Sequence, residues 1–289
     1  MASSSSSSSL PLPPLKKYGG HRNWADLPPE LTSSILLRLG AIEILENAQK
    51  VCKSWHHVCK DPSMWRKIKM DHEKWYESLN TMLRHETICR HAVDRSLGGL
   101  VEIDIWYIGT NSLLSYIVDS TSNLRRLRLP WCNVITDEGY LKAVVKLPLL
   151  EELDISYCSI LEETLEVLGK SCPKLKTLHA LNLCSPVIDY DAEAIEINGT
   201  DDEFAIAIAE SMPELRHLQL AGNGLISNKG LEAILDACPH LEHLDLRECY
   251  NINLVGDLQK RCSEKIRVLR RPNDTTADYP LYVRFLDGY

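Results

Sequence analysis

The chain has 289 residues, of which 44% are hydrophobic and 25% are charged, and its formal net charge at pH 7 is −8. These proportions are typical of a globular protein in water. The acidic balance argues against a nucleic-acid-binding protein, which would need a basic face, and no apolar run approaches the roughly 20 residues that span a bilayer. The cysteines are scattered and form no CxxC pair, which favours buried free thiols in a reducing compartment over a disulfide framework.

The segment 1–22 is predicted to be a disordered tail. It begins MASSSSSSSLPLPP, and such a low-complexity composition cannot bury a core. A Ser-rich start without acidic residues also resembles a plastid transit peptide. No arginine occurs before Arg22, so we favour the solvated tail.

A short stretch with helical spacing begins after this tail. Asp26, followed by Pro28, predicts a helix entry, because a capping acid and a proline suit the first helical turn. The apolar side chains that come next fall on one stripe of a helix that Gly40 can end. They are Leu31, Ile35, Leu36 and Leu39.

Two further helical segments follow. An apolar stripe with spacings of three and four runs from Ile44 to Cys59, and Asp61 opens a third helical turn that carries Met64 and Trp65. Three short helices cannot bury this much apolar surface among themselves. We therefore expect this module to need a partner.

Residues 24–65 resemble an F-box, the segment by which substrate adaptors of SCF-type ubiquitin ligases dock onto the Skp adaptor. Both the LPxEL entry at Leu27 and the VCKxW exit at Val51 match that pattern, as do the later Asp61 and Trp65. The resemblance implies that apolar side chains of this segment contact the adaptor. The candidates are Leu27, Pro28, Leu31, Ile35, Leu36, Leu39, Leu45, Val51 and Trp55.

From residue 100 onward the chain repeats the phrase L-x-x-L-x-L, most clearly from Leu124, Leu150, Leu215 and Leu241. Its period of about 25 residues predicts leucine-rich repeats, in which each unit lays one strand on a concave wall and one helix outside it. A thiol or amide follows each of these phrases, where it can satisfy backbone groups at the turn. These residues are Cys132, Cys158, Asn223 and Cys249.

The predicted fold class is α/β: an N-terminal three-helix F-box, then a short leucine-rich-repeat solenoid with parallel strands on the concave side and helices on the convex side. One longer step between repeats contains an acidic insertion, which we expect at the rim as either a solvated loop or a selector of basic substrates. The predicted domains are a tail at 1–22, the F-box at 23–70, a helical linker or cap at 71–99, repeats at 100–270 with the insertion at 184–203, and a C-terminal cap at 271–289.

Residues that flank the repeat leucines point to the concave face. In the first three repeats they alternate acid, base, acid, as at Glu102, Arg126 and Glu152, so charges on adjacent strands can pair laterally. We favour that pairing over the alternative, in which Arg126 and Arg128 hold an acidic segment of a substrate.

Later repeats place histidines on the same face, together with Gln219 and Arg247. A three-histidine metal site is conceivable, but strand spacing spreads the rings, and polar contacts to a protein are favoured. Tryptophans near the rim could supply apolar anchors. The candidate substrate-binding residues are Trp106, Arg126, Arg128, Trp131, His179, His217, Gln219, His243 and Arg247.

The combination of an F-box with leucine-rich repeats resembles plant F-box/LRR-repeat proteins of the Skp-interacting-partner type. That resemblance implies a substrate-recognition subunit of a ubiquitin ligase, which binds the Skp adaptor and through it a cullin and RING core, in the nucleus, the cytoplasm or both. No nucleophile–base pair, phosphate-binding loop or metal cluster stands out, so we expect no catalytic residues and no cofactor. The alternatives are an interaction scaffold outside a ligase and, less favoured, a small-molecule-sensing F-box receptor.

Overall fold

The computed structural model describes residues 24–70, 79–181 and 201–278. Within these ranges an N-terminal helical module leads into one parallel sheet of eight strands in chain order. The strands are β1 (Lys67–Met70), β2 (Glu102–Ile105), β3 (Arg126–Arg128), β4 (Glu152–Asp154), β5 (Thr177–His179), β6 (His217–Gln219), β7 (His243–Asp245) and β8 (Val268–Arg270).

Helices alternate with these strands, so each repeat is one strand and one helix. The helices are α1 (Pro29–Leu36), α2 (Ala41–Glu46), α3 (Lys53–Val58), α4 (Leu79–Arg95), α5 (Asn111–Ser120), α6 (Asp137–Val144), α7 (Glu162–Ser171), α8 (Glu203–Ser211), α9 (Asn228–Ala237) and α10 (Gly256–Lys265), with 3-10 turns at Trp24–Asp26, Ala48–Lys50 and Pro62–Trp65. The predicted α/β solenoid is confirmed.

The helical module departs from its sequence prediction at two points. Asp26 does not cap α1, because it lies in the first 3-10 turn and the helix begins after Pro28 without a side-chain cap. The stripe from Ile44 to Cys59 is also not one helix. Helix α2 ends at Glu46 and a 3-10 turn at Ala48–Lys50 follows it; Cys52, with an extended backbone (φ −158°), then caps α3, and its Sγ accepts the Trp55 backbone N–H at 3.4 Å.

Lateral register places equivalent residues of successive repeats side by side. Leu127 pairs with Leu153, and Leu153 with Leu178, and all three side chains are buried. Because every repeat contributes leucines at the same depth, the interior is one continuous apolar core rather than separate small ones. The outward-facing strand residues are thereby lined up in rows along the concave face.

Thiols and an amide close the turns after the strands, as the repeat pattern predicts. The Cys158 thiol donates to the Leu129 carbonyl at 3.2 Å, and Asn223 Nδ2 donates to the Ala180 carbonyl at 2.6 Å. Burial raises the pKa of Cys158 to about 11, so it stays a protonated donor near neutrality. Every cysteine in the described part is a free thiol.

The strand β1 was not predicted, and it joins the helical module to the sheet. The Arg66 carbonyl accepts the backbone N–H groups of Val101 at 2.8 Å and Glu102 at 3.1 Å, and β1 then pairs with β2 in parallel. Helix α2 packs against both β1 and α4. The chain itself therefore covers much of the apolar surface of the module, contrary to the expectation that an outside partner must bury it.

Several predicted segments lie wholly or largely outside the described residues. These are the tail at 1–22, the insertion up to residue 200, and the C-terminal cap beyond residue 278. Helix α4 occupies most of the described part of the predicted linker 71–99. None of the helices in the three described ranges has the length and apolarity that crossing a bilayer requires.

Candidate interaction surfaces

Helix α1 has two apolar sides, and only one of them faces the core. Leu36 and the neighbouring Thr32 are completely buried, whereas Leu31, Ile35 and Leu39 are exposed. The exposed residues are four apart, so they share one side of the chain as it passes through α1 and the following turn. They form an apolar patch, which we call the α1 patch.

The predicted adaptor contacts divide by this burial. Pro28, Leu31, Ile35, Leu39 and Val51 are exposed, and Leu27 and Trp55 are half-buried. Leu36 and Leu45 are buried and belong to the core, so they cannot touch a partner and we remove them from the candidate surface. The physical reason is helical geometry, since adjacent residues such as Ile35 and Leu36 differ by about 100° around the axis.

The first half of the concave face is a ladder of paired charges. Arg126 bonds Glu102 on one side and reaches Glu152 on the other, with Nε 3.1 Å from Oε2. Arg128 Nε donates to Glu152 Oε1 at 2.7 Å, and Lys67 Nζ lies 2.8 Å from Glu102 Oε1. The lateral pairing favoured from the sequence is therefore present. Together with residues 37–41 of the helical module, these side chains line a cleft of about 560 Å³.

Loss of this pairing should cost stability. We expect a chain carrying both Arg126→Ala and Arg128→Ala to lose about 1–2 kcal/mol of unfolding free energy, because exposed ion pairs contribute roughly 0.2–1 kcal/mol each and Glu152 would lose both arginines. Thermal unfolding measures this, with Arg125→Ala, which removes one exposed pair with Glu151, as the matched control. Unchanged stability with lost target binding would instead support the acidic-segment alternative.

Neither rim tryptophan is a free-standing anchor. Trp106 Nε1 donates to Asp104 Oδ1 at 2.6 Å. Burial raises the pKa of Asp104 to about 6, against the opposing effects of that hydrogen bond and of the Arg128 charge. Trp131 is half-buried and stacks on Tyr157, with ring centroids 4.2 Å apart. Both tryptophans thus take part in contacts along the solenoid.

The second half of the concave face holds the predicted histidines. His179 Nδ1 is 2.7 Å from Gln219 Oε1, and the rings of His217 and His243 lie with centroids 4.3 Å apart. Burial, followed by the neighbouring His243, lowers the pKa of His217. These side chains line a pocket of about 240 Å³ that reaches Arg270.

The spacing of the three histidines follows the sheet register. His217 and His243 share one row of the sheet register, while His179 lies in the adjacent row beside Gln219. In the part of the chain that the structure describes, no three His, Cys, Asp or Glu side chains form a group that could hold a metal ion. The arrangement presents hydrogen-bonding groups and ring faces on the concave surface.

Arg247 was predicted to contact substrate, and its burial contradicts that role. Its side chain is only 5% exposed. Its Nε donates to Asp245 Oδ1 at 2.9 Å, its Nη1 donates to the Thr275 carbonyl at 3.0 Å, and Nη1 also bonds Asp278. Arg247 therefore ties the segment after β8 to the sheet.

Comparison with known proteins agrees with this architecture. Family models described as F-box-like, as LRR repeats of an FBD-associated F-box protein, and as Leucine Rich repeat match residues 24–71, 89–190 and 212–235. F-box/LRR-repeat protein 23 of Arabidopsis thaliana is 62% identical over 95% of this chain, which spans 59% of that protein. F-box protein SKIP19 of Arabidopsis thaliana is 58% identical over 96% of this chain and 85% of that protein. The chain belongs to the F-box/LRR-repeat family.

The leucine-rich repeat-containing protein LegL7 from Legionella pneumophila aligns with 72% of this chain and 64% of that chain, at 16% identity and a TM-score of 0.43. The family models and relatives quoted above carry F-box or repeat names, and none is named for an enzyme.

Within this F-box/LRR chain, sequence reasoning missed one ion pair on the concave face. Arg270 occupies the same repeat position as Asp245, so its place on the concave face follows from the pattern. Its partner Asp278, at 2.6 Å from Arg270 Nη2, belongs to no repeat. No periodic signal marks that contact.

Proposed function

We propose that this chain is the substrate-recognition subunit of an SCF-type E3 ubiquitin ligase. Its F-box would dock on a Skp-type adaptor, and its concave face would bind the target protein. The observation that carries the proposal is the division of α1, where Leu36 holds the core while Leu31 and Ile35 are exposed. Such an apolar patch on an otherwise well-packed module is the usual mark of a protein–protein contact.

The chain would contribute position rather than chemistry. Bound through the adaptor to a cullin and RING core, it would hold a target lysine near the thioester of a charged ubiquitin-conjugating enzyme. Tethering raises the effective concentration of the two reactants and removes part of the entropic cost of their encounter. This function would operate in the nucleus, the cytoplasm or both.

The docking half is tested by placing a charge in the α1 patch. We expect Leu31→Asp to weaken binding to a purified Skp-type adaptor at least tenfold, about 1.4 kcal/mol, because the carboxylate would be desolvated at the interface. Leu161→Asp is the matched control, since Leu161 and Leu31 are both 54% exposed and Leu161 lies on the solenoid. Calorimetric titration gives both affinities. If folded Leu31→Asp binds like the unsubstituted chain, the docking surface is wrong.

The target-binding half calls for a trap that remains folded. Deleting residues 24–65 would remove Trp65 and other core side chains, so the full-length Leu31→Asp chain is the better bait. Proteins that accumulate on it, and whose ubiquitination requires the unsubstituted chain, would be the targets. If captured proteins are ubiquitinated equally with Leu31→Asp, the chain acts outside a ligase.

A further inference from the structure

The C-terminal end of the concave face takes a carboxylate from outside the sheet. Asp245 is already occupied, since it accepts Arg247 Nε at 2.9 Å and Nη2 at 2.5 Å. Its strand neighbour Arg270 instead donates to Asp278 Oδ2 at 2.6 Å. The other oxygen of Asp278 accepts from Arg247 Nη1. One aspartate of the following segment therefore bridges the two arginines.

Charge balance explains why this aspartate is needed. The concave positions of β1 to β4 carry equal numbers of bases and acids. They are Lys67, Lys69, Arg126 and Arg128, with Glu102, Asp104, Glu152 and Asp154. At the other end Asp245 lies beside two arginines, Arg270 in β8 and Arg247 just after β7, so without Asp278 this group of three side chains has one positive charge in excess. Asp278 supplies the missing negative charge.

The bridging residue Asp278 is accessible to solvent, whereas the ion pair of Arg247 with Asp245 is buried. The side chain of Asp278 is 48% exposed, whereas that of Arg247 is 5% exposed. Burial works to raise the pKa of Asp278, but the hydrogen bond and charge of Arg247 outweigh it and hold that pKa below its ordinary value. Asp278 is thus an ionised ligand at the surface, and another carboxylate can replace it without opening the core.

The surroundings of the bridge suit a peptide. The pocket of about 240 Å³ that Arg270 lines is also lined by His179, His217, His243 and the exposed Val268. A polypeptide whose carboxylate took the place of Asp278 would put its neighbouring side chains against these rings. Hydrogen-bond donors and apolar surface therefore lie directly beside a charge that attracts acids.

We propose that Arg270 binds a carboxylate of an acidic segment of the target protein, and that Asp278, which the buried Arg247 also holds, is the internal occupant of this site. This proposal rests on the target-binding half of the proposed function and names the chemistry of the target. An acidic target side chain displaces Asp278, so the affinity measured for a target is reduced by this internal competition.

The test removes the charge of Asp278 and measures the affinity of the site for peptides. The full chain, in complex with a Skp-type adaptor, is titrated with a fluorescein-labelled peptide of alternating glutamate and glycine, and with its glutamine counterpart. We expect Asp278→Asn to tighten binding of the glutamate peptide roughly two- to fivefold, the range for a partly exposed ion pair. Adding Arg270→Gln to that variant should abolish the gain. The glutamine peptide should respond to neither substitution.

Controls distinguish displacement of the Asp278 carboxylate from a general loosening of the segment after β8. Asp274→Asn changes an acid of the same segment that accepts the Arg271 backbone N–H at 2.9 Å, and it should leave binding unchanged. The proposal is overturned if Asp278→Asn does not raise the affinity for the glutamate peptide, or if it raises the affinity for both peptides equally. It is also overturned if Asp274→Asn raises the affinity, or if Asp278→Asn raises the affinity for a labelled oligonucleotide more than that for the glutamate peptide. Adaptor binding, followed in the same samples, reports on F-box docking separately.

Discussion

Replacing Trp65 with alanine should lower the free energy of unfolding by about 3–5 kcal/mol, the range for deleting a buried aromatic side chain. Trp65 is 1% exposed and ends the 3-10 turn directly before β1. The substitution would leave a large cavity where the F-box meets the solenoid. We expect the whole described fold to be weakened, and not the F-box alone.

The contacts of Trp65 explain the breadth of that effect. Its Nε1 donates to the Cys59 carbonyl at 2.8 Å, and Arg95 at the end of α4 donates to the same carbonyl at 3.1 Å. The Arg95 guanidinium also lies 5.5 Å from the centre of the Trp65 ring, within the range of a cation–π interaction. Removing the ring should therefore destabilise α3, α4 and β1 together.

Thermal and denaturant unfolding measure this loss. Trp65→Phe keeps most of the apolar area but loses the N–H donor, so it should fall between alanine and the unsubstituted chain. Trp24→Ala is the matched control, because Trp24 is 61% exposed and its side-chain loss should cost little. Two separate transitions, with that of the solenoid unchanged in Trp65→Ala, would mean that the F-box folds independently.

The sequence sufficed for features that repeat. The strand order, the lateral pairing of Arg126 with Glu152 and the thiol contact of Cys158 all follow from one period applied along the chain. Helical spacing also found the apolar residues of α1. It could not say which of Ile35 and Leu36 faces inward, because both lie within one broad apolar stripe and only tertiary packing selects between them.

Features that occur once escaped prediction. Strand β1 has only Lys67–Met70 and lacks the leucine phrase, so its place in the sheet depends on β2 and not on its own pattern. The contact of Arg247 with Asp278 joins a repeat residue to a segment outside the repeats. Arg247 lies next to a row of predicted substrate-binding residues, so the sequence predicted that it binds substrate as well. Sequence position indicates which face of the sheet a residue is near, but it does not show whether the side chain is buried.

Replacing Arg247 with alanine should cost about 3–5 kcal/mol of unfolding free energy, because breaking a buried ion pair leaves the remaining partner without compensation. The Asp245 side chain is 13% exposed and that of Arg247 5%, so water can do little to replace the lost interaction. The Thr275 carbonyl and Asp278 would lose their donor as well. The segment after β8 should therefore become easier to cleave by protease.

A double-mutant cycle distinguishes an ion pair from simple packing. Arg247→Met combined with Asp245→Asn removes both charges, so it should recover much of the stability that Arg247→Met alone loses. Arg216→Ala is the matched control, since that arginine also pairs across strands, with Glu242 at 2.6 Å, but is 44% exposed, and it should cost at most about 1 kcal/mol. If Arg247→Ala is as stable as Arg216→Ala and instead loses target binding, then Arg247 contacts the target after all. Both Arg247 and Arg270, whose excess positive charge Asp278 neutralises, would then belong to the target-binding surface.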